Sequence, residues 1–228
     1  MNPSTAANKR ALNNEQSTTQ PSLEQYAHPF VTVDIVIFSL ALQHGDLRVL
    51  LIERDRQPFN GIASLPGGFV HVGESLEASA ERQLSTKTGL SAVYMEQLFT
   101  FGRPERDPRN HVITVAYFAL VPFDMISLSK MGASLKLASV FNLPELAFDH
   151  AEIVRSALQR LRYKLEYTSL GFELLPDKFT LTELQRAYEI VLSEKLDKRN
   201  FRRKILSAEI IEPTGDTSRG GEGRPAKL

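Results

Sequence analysis

Near Pro144 the hydrophobic period of this chain changes, and that change limits the fold more than any other feature. Upstream, apolar residues come in short runs. Val31-Thr-Val-Asp-Ile-Val-Ile-Phe-Ser-Leu40 is β-branched and nearly all apolar, as suits a buried strand. His44-Gly45-Asp46 supplies turn chemistry and Leu47 to Glu53 returns as a second strand, so the pair reads as a hairpin. Leu76, Ala80 and Leu84 form one stripe of a helix over Glu77 to Lys87, with Gly89 as its C-cap. Strands are expected again over Ala92 to Phe101 and His111 to Val121, around the polar loop Gly102 to Asn110. Residues 122–140 are the least readable part.

Downstream of Pro144 the period is helical. Ile153, Ala157, Leu158, Leu161 and Leu165 make one apolar stripe on a helix begun near Asp149. Thr180-Leu-Thr-Glu183 is a capping box, and the helix it opens turns Leu184, Ala187, Tyr188, Val191 and Leu192 inward. Asp197 reads as the N-cap of a short helix, Lys198 to Leu206, anchored by Phe201 and Ile205. Ile210 and Ile211 are expected to start a strand, before a glycine-rich loop, Gly215 to Gly223, and a return at Pro225 to Leu228. Helix, helix, basic helix and hairpin in that order make a winged helix-turn-helix. The expected division is a tail over residues 1–27, one domain over 28–145 and a second over 146–228. The tail holds almost no large apolar side chains and cannot offset the entropy of ordering, so it is expected to be flexible.

Composition removes several chemistries. The 228 residues contain no cysteine, which excludes disulfides, thiolate metal sites and a cysteine nucleophile. Lys+Arg and Asp+Glu balance at 27 each, so any basic surface must be local. No apolar run approaches the roughly 18–20 residues of a membrane span, and Met1 to Gln20 lacks the apolar stretch of a secretory signal. A soluble cytoplasmic protein with no membrane partner is expected. His28, His44, His71 and His111 show no metal spacing, and His150 beside Asp149 reads as a cap or packing residue. No metal site is expected.

The most informative stretch is Leu65-Pro-Gly-Gly-Phe-Val70, followed by Gly73-Glu74 and by Arg82. Paired glycines between a strand and a helix let backbone N–H groups approach an anion closely. The stretch resembles the Nudix family, whose signature is GX5EX7REUXEEXGU with U a bulky aliphatic residue. It runs here from Gly68 to Leu90, with Glu74, Arg82, Leu84, Gly89 and Leu90 matching. The departures fall on the metal-binding glutamates, which are replaced by Gln83, Thr86 and Lys87. Hydrolysis of an already anionic diphosphate needs divalent cations, and magnesium needs hard anionic oxygens. The resemblance therefore implies an α/β Nudix-like sandwich, a mixed sheet with helices, that binds a nucleotide without cleaving it, with no catalytic residue and no cofactor. Gly67, Gly68, Phe69, Arg54 and Arg82 are the expected phosphate neighbours. The loop Arg103-Pro-Glu-Arg-Asp-Pro-Arg-Asn110 adds guanidinium groups suited to forked phosphate recognition. Its Arg106, Asp107 and Arg109 resemble the ADP-ribose side of the family's pocket. Ala63 stands where many relatives carry a tryptophan, which removes an aromatic surface.

Between Lys195 and Lys204 there are six basic residues and one acid in ten positions. A charge run alone is usually a solvated helix face. This one follows a capped helix at helix-turn-helix spacing and includes Asn200, a residue type that pairs bidentately with adenine as arginine does with guanine. The expected DNA-binding residues are Thr180, Lys198, Arg199, Asn200, Arg202, Arg203 and Lys204, with Arg219 and Arg224 in the wing. Leu175-Pro-Asp-Lys-Phe-Thr-Leu-Thr-Glu-Leu-Gln-Arg-Ala-Tyr-Glu189, the basic segment and Leu146-Ala-Phe-Asp-His-Ala-Glu-Ile-Val154 resemble the Nudix-related transcriptional regulators of the NrtR family. That resemblance implies a homodimeric bacterial repressor of NAD-metabolism genes, with double-stranded DNA and ADP-ribose or a related nucleotide as its ligands. Activation in place of repression is left open by the residues. The competing expectation is an active Nudix pyrophosphohydrolase of ADP-ribose with an accessory helical tail.

Overall fold

The computed structural model describes residues 28–126, 134–214, 217–218 and 226–227; the expected flexible tail, residues 1–27, lies outside them. The long strand β1 (Phe30–Ala41) is the axis of a seven-stranded mixed sheet. Its C-terminal half pairs antiparallel with β2 (Asp46–Glu53), through a tight turn closed by Gly45 at φ 62°. The two-residue strand β3 (Ala63–Ser64) pairs with the end of β2. Strand β4 (Gly67–Phe69) pairs with the N-terminal half of β1. Helix α1 (Leu76–Thr88) leads to β5 (Tyr94–Phe101) and β6 (Val112–Val121), and β6 runs parallel to β1 from Phe30↔Val112 to Ser39↔Val121. Strand β7 (Leu135–Ser139) adds to β2 and falls in the stretch where the sequence has no clear period.

The largely apolar character of β1 follows from its position. Side chains alternate across a strand, and both faces of this one are covered. Val33, Ile35 and Ile37 pack with Ala80 and Leu84 of α1. Val36, Phe38 and Leu40 pack with Ile153, Ala157 and Leu161 of α2 (His150–Tyr167). Helix α1 starts on a Ser75 cap, whose hydroxyl accepts from Ala78 N at 3.1 Å, and it ends on Gly89 at φ 73°.

The core on the α2 side continues without a break into the C-terminal part. Helices α3 (Leu181–Leu192) and α4 (Lys198–Ser207) contribute Leu184, Ala187, Tyr188, Val191, Phe201 and Ile205 to it. Arg162 of α2 donates to Val191 O at 2.8 Å and to Ser193 Oγ at 2.9 Å, fixing the end of α3 to α2. The expected capping box is complete: Glu183 N donates to Thr180 Oγ1 at 3.1 Å, and Thr180 N to Glu183 Oε2 at 2.7 Å. Asp197 caps α4 through Asn200 N at 2.8 Å. A short hairpin follows, β8 (Thr217–Ser218) with β9 (Ala226–Lys227). Ile210 and Ile211 do not start its first strand; the backbone from Ile210 to Thr214 is irregular. The Ile211 side chain packs instead on the core of the helices, and each strand of the hairpin is only two residues long. Among the described residues no helix is long and apolar enough to cross a membrane.

Candidate functional site

A cavity of about 460 Å³ opens where β4, the end of β2, the C-terminal turn of α1 and the start of α2 meet. Two glycines make the approach of β4 possible. A Cβ on Gly67 would sit 2.4 Å from Asp34 Oδ1 and from Val33 O, and one on Gly68 would sit 2.4 Å from the Gln83 amide. The floor is a buried ionic cluster. Arg106 donates in a fork to Asp149, Nε to Oδ2 at 2.9 Å and an Nη to Oδ1 at 2.7 Å, and also reaches Asp34 Oδ2 at 3.5 Å. Burial works against its charge, but the two carboxylates outweigh it and raise the guanidinium above its ordinary value. His150 Nδ1 accepts from Leu65 N at 2.9 Å, so its neutral ring carries the proton on Nε2, which faces Asp34 Oδ1 at 3.7 Å. Burial pushes that imidazole below its ordinary value.

The rim is aromatic and cationic. Arg54 lies 4.7 Å over the Phe148 ring and Arg109 lies 5.7 Å from it, while Phe59 meets Phe148 edge-on at 4.8 Å. Both phenylalanines adopt left-handed backbone, φ 65° at Phe59 and φ 55° at Phe148. A bulky residue holds that conformation only where the surroundings impose it, and such residues cluster at ligand sites. Arg109 is itself forked onto Asp107, at 2.9 and 2.6 Å. Burial and the neighbouring Arg109 charge lower the Arg54 guanidinium.

The wall formed by α1 carries the altered signature. Glu74 accepts from Arg82 at 2.6 and 2.7 Å and from His71 N at 3.0 Å, and the Arg82 bond pulls its carboxyl down to about 2. Gln83 is buried; with its amide turned so that both ends are satisfied, it donates to Gly67 O at 3.1 Å and accepts from Arg82 at 2.9 Å. Thr86 Oγ1 donates back to Arg82 O at 2.7 Å. Lys87 is exposed and lines the same cavity as Arg54 and Arg56. Asp55 between those arginines is held low by its bond from Arg56 and, to a smaller degree, by the Lys87 charge.

In the C-terminal part, α4 buries Phe201 and Ile205 and exposes Lys198, Arg199, Asn200, Arg203 and Lys204. Arg202 is half-buried and reaches Thr182 Oγ1 at 3.3 Å, and Arg203 bonds Asn200 Oδ1 at 3.0 Å. The turn between α3 and α4 is pinned by Glu189, which accepts from Leu196 N at 3.1 Å and from Gln185 at 3.1 Å.

Comparison with known proteins places these two features in one family. Residues 29–161 match the NUDIX domain, and residues 171–228 match the NrtR DNA-binding winged helix domain. Over 209 residues the chain is 41% identical to the ADPR responsive transcriptional repressor NtrR of Acinetobacter baylyi, covering 89% of this chain and 82% of that protein. The chain belongs to the NrtR family.

Solved NrtR structures extend the match over most of the chain. Shewanella oneidensis NrtR complexed with a 27mer DNA superposes with a TM-score of 0.79 at 36% identity, covering 87% of this chain and 91% of that one. The NUDIX domain of the same NrtR, complexed with ADP ribose, gives a TM-score of 0.53 at 36% identity over 62% of this chain and 94% of that one. A Nudix relative of another kind, the ADP-ribose pyrophosphatase of Methanocaldococcus jannaschii, is 38% identical over 138 residues, which is 59% of this chain and 76% of that enzyme.

Against this NrtR frame the site residues read from the sequence fall into distinct places. Arg54, Gly67, Gly68, Phe69, Arg106, Asp107 and Arg109 all line the one cavity. Arg106 does so from the floor, with its side chain only 4% exposed and bound to carboxylates, and Arg82 stands behind the wall, latched to Glu74. Thr180 is buried, with its hydroxyl and N–H both engaged in the capping box. Arg219 and Arg224 lie outside the described residues. Sequence reasoning missed Asp34, Asp149, Phe59 and Phe148. Asp34 carried a usable signal, because a charge inside an otherwise apolar strand must find a buried partner. The two phenylalanines carried none, since a left-handed φ is not visible in residue type.

Proposed function

We propose that this protein is a DNA-binding transcriptional repressor that senses ADP-ribose or a related nucleotide in the cavity and reads an operator with α4. The observation that carries this reading is the coexistence, on one continuous core, of a cationic cavity and a helix-turn-helix whose second helix turns its basic side outward. The Acinetobacter relative is an ADPR-responsive repressor, and the Shewanella relative has been solved with DNA and with ADP ribose. We further propose a homodimer acting in the cytoplasm on genes of NAD metabolism, its two recognition helices on palindromic half-sites about one helical turn apart or a multiple of it. Lys198, Arg199, Asn200, Arg202, Arg203 and Lys204 contact the operator; Arg54, Gly67, Gly68, Phe69, Asp107 and Arg109 surround the effector.

The pyrophosphatase relative favours hydrolysis as the second reading, and the donor set of the α1 wall opposes it. The Glu74 carboxylate is engaged by Arg82, Gln83 offers an amide already bonded to Gly67 O, the Thr86 hydroxyl points back to its own helix, and Lys87 is a cation. Magnesium requires several hard anionic or carbonyl oxygens in a tight octahedron, so these residues do not fit the metal.

The test is binding of genomic fragments to the purified protein, sequenced with and without ADP-ribose, followed by anisotropy on the selected site. ADP-ribose is expected to release the operator. Arg202→Ala with Arg203→Ala is expected to weaken operator binding and to leave ADP-ribose affinity intact. ADP-ribose turnover with Mg²⁺ at about 1 s⁻¹ or more, an ordinary enzyme rate, would establish the hydrolase reading instead.

A further inference from the structure

The residues that took the places of the glutamates are not a random loss. Gln83 sits where the first lost carboxylate would be, and its amide donates to Gly67 O at 3.1 Å. A carboxylate is acceptor-only and would face that carbonyl with like partial charge unless a cation stood between them. Position 83 thus holds strand β4 at Gly67 directly. Among the described residues, the ion pairs of the cavity wall join Arg106 to Asp34 and Asp149, Arg109 to Asp107, Arg56 to Asp55, and Lys136 to Glu53. Arg54 and Lys87 are the wall cations outside such a pair, and both line the cavity.

We infer that Lys87 replaces the divalent cation: its ammonium, at the C-terminal turn of α1, neutralises the diphosphate of the bound nucleotide, so that binding needs no metal. This rests on the receptor reading above and adds to it the residue that compensates the ligand's charge. A competing role for Lys87 is simple complementation of the α1 dipole; that role would change helix stability and leave nucleotide affinity untouched.

The experiment is calorimetric titration of ADP-ribose into the full chain, in EDTA and in Mg²⁺, for wild type, Lys87→Ala and Lys87→Arg, with thermal unfolding as the control for folding. Wild type is expected to bind equally in both buffers. Lys87→Ala is expected to bind about ten- to a hundredfold more weakly, the loss of one charge-assisted contact, and Lys87→Arg to recover most of that loss. Lys87→Ala binding like wild type in EDTA, an arginine variant no better than the alanine one, or a wild-type affinity that collapses in EDTA would each overturn the inference. A wild type that binds no ADP-ribose in either buffer would remove the receptor reading itself.

Discussion

Arg106 stands where an arginine can either grip a ligand or hold a protein together, and its partners decide between the two. The carboxylates of Asp149 and Asp34 take its donors, so its contribution to the cavity is to fix the floor on which a ligand rests. Residue type and loop position make it look like a phosphate ligand, because the partners that bury it lie 43 and 72 residues away along the chain. His150 belongs to the same cluster, and a cap or packing role was its expected reading; it is buried, and its Nδ1 holds Leu65 N. Its titration gives a prediction. The unfolded chain takes up the imidazole proton near pH 6.5, while burial delays uptake in the folded chain to a lower pH. The unfolded state therefore binds more protons in that interval. Stability from neutral His150 is whole above about pH 6.5 and falls below it, by up to about 1.4 kcal/mol per pH unit. Urea unfolding from about pH 7.5 to 5.5 should show wild type losing more stability than His150→Asn, which keeps an acceptor for Leu65 N but does not titrate. Parallel curves would mean that His150 is charged, or exposed, in the folded protein.

Helices with caps are the elements that the sequence announces best, because a cap is a local bond between residues a few positions apart. The Thr180–Glu183 box and the Asp197 cap lie where their side-chain spacing puts them. Strands are announced less well, since a strand exists only beside its partner. β7 has five residues in a stretch without clear period, and the edge of β2 is what makes it a strand. Ile210 and Ile211 have strand-like residue types but no ladder to join, and Ile211 finds the helical core instead. Helix α2 shows a further limit: its apolar stripe is plain, yet periodicity does not say that the stripe serves the sheet and α3 together. The cap of α3 is the place to test this element. Thr180→Ala removes one bond of the box and should cost about 1 kcal/mol, lowering the unfolding midpoint by about 2–4 °C in a chain of this size. Thr180→Ser, which keeps the hydroxyl, should restore most of it, and equal loss in the two variants would assign the effect to the buried methyl group.

At the scale of the molecule, the arrangement that matters is that α2 begins in the cavity and ends against the DNA-reading unit. Asp149 and His150 at its start belong to the cavity floor, while Arg162 and Lys164 farther along hold the end of α3 and Glu96 of β5. With one core shared between the two halves, a change in how α2 seats at one end is a change in packing at the other. Such a change still needs a ligand that prefers one seating, because equal affinity for both conformations shifts nothing. Linkage then fixes a relation that any mechanism must satisfy. If ADP-ribose weakens operator binding by some factor, the operator weakens ADP-ribose binding by the same factor. Allosteric couplings of this kind are typically about 5- to 150-fold, well within the reach of calorimetry. We expect ADP-ribose titrated into the preformed protein–operator complex to bind more weakly than to the free protein, by the ratio that anisotropy gives for the operator with and without saturating nucleotide. Unequal ratios under identical salt would show that a third species, such as a change in oligomeric state, takes part in the release. Equal affinity of ADP-ribose for free and operator-bound protein would disconnect the cavity from α4 altogether, however tightly each ligand bound on its own.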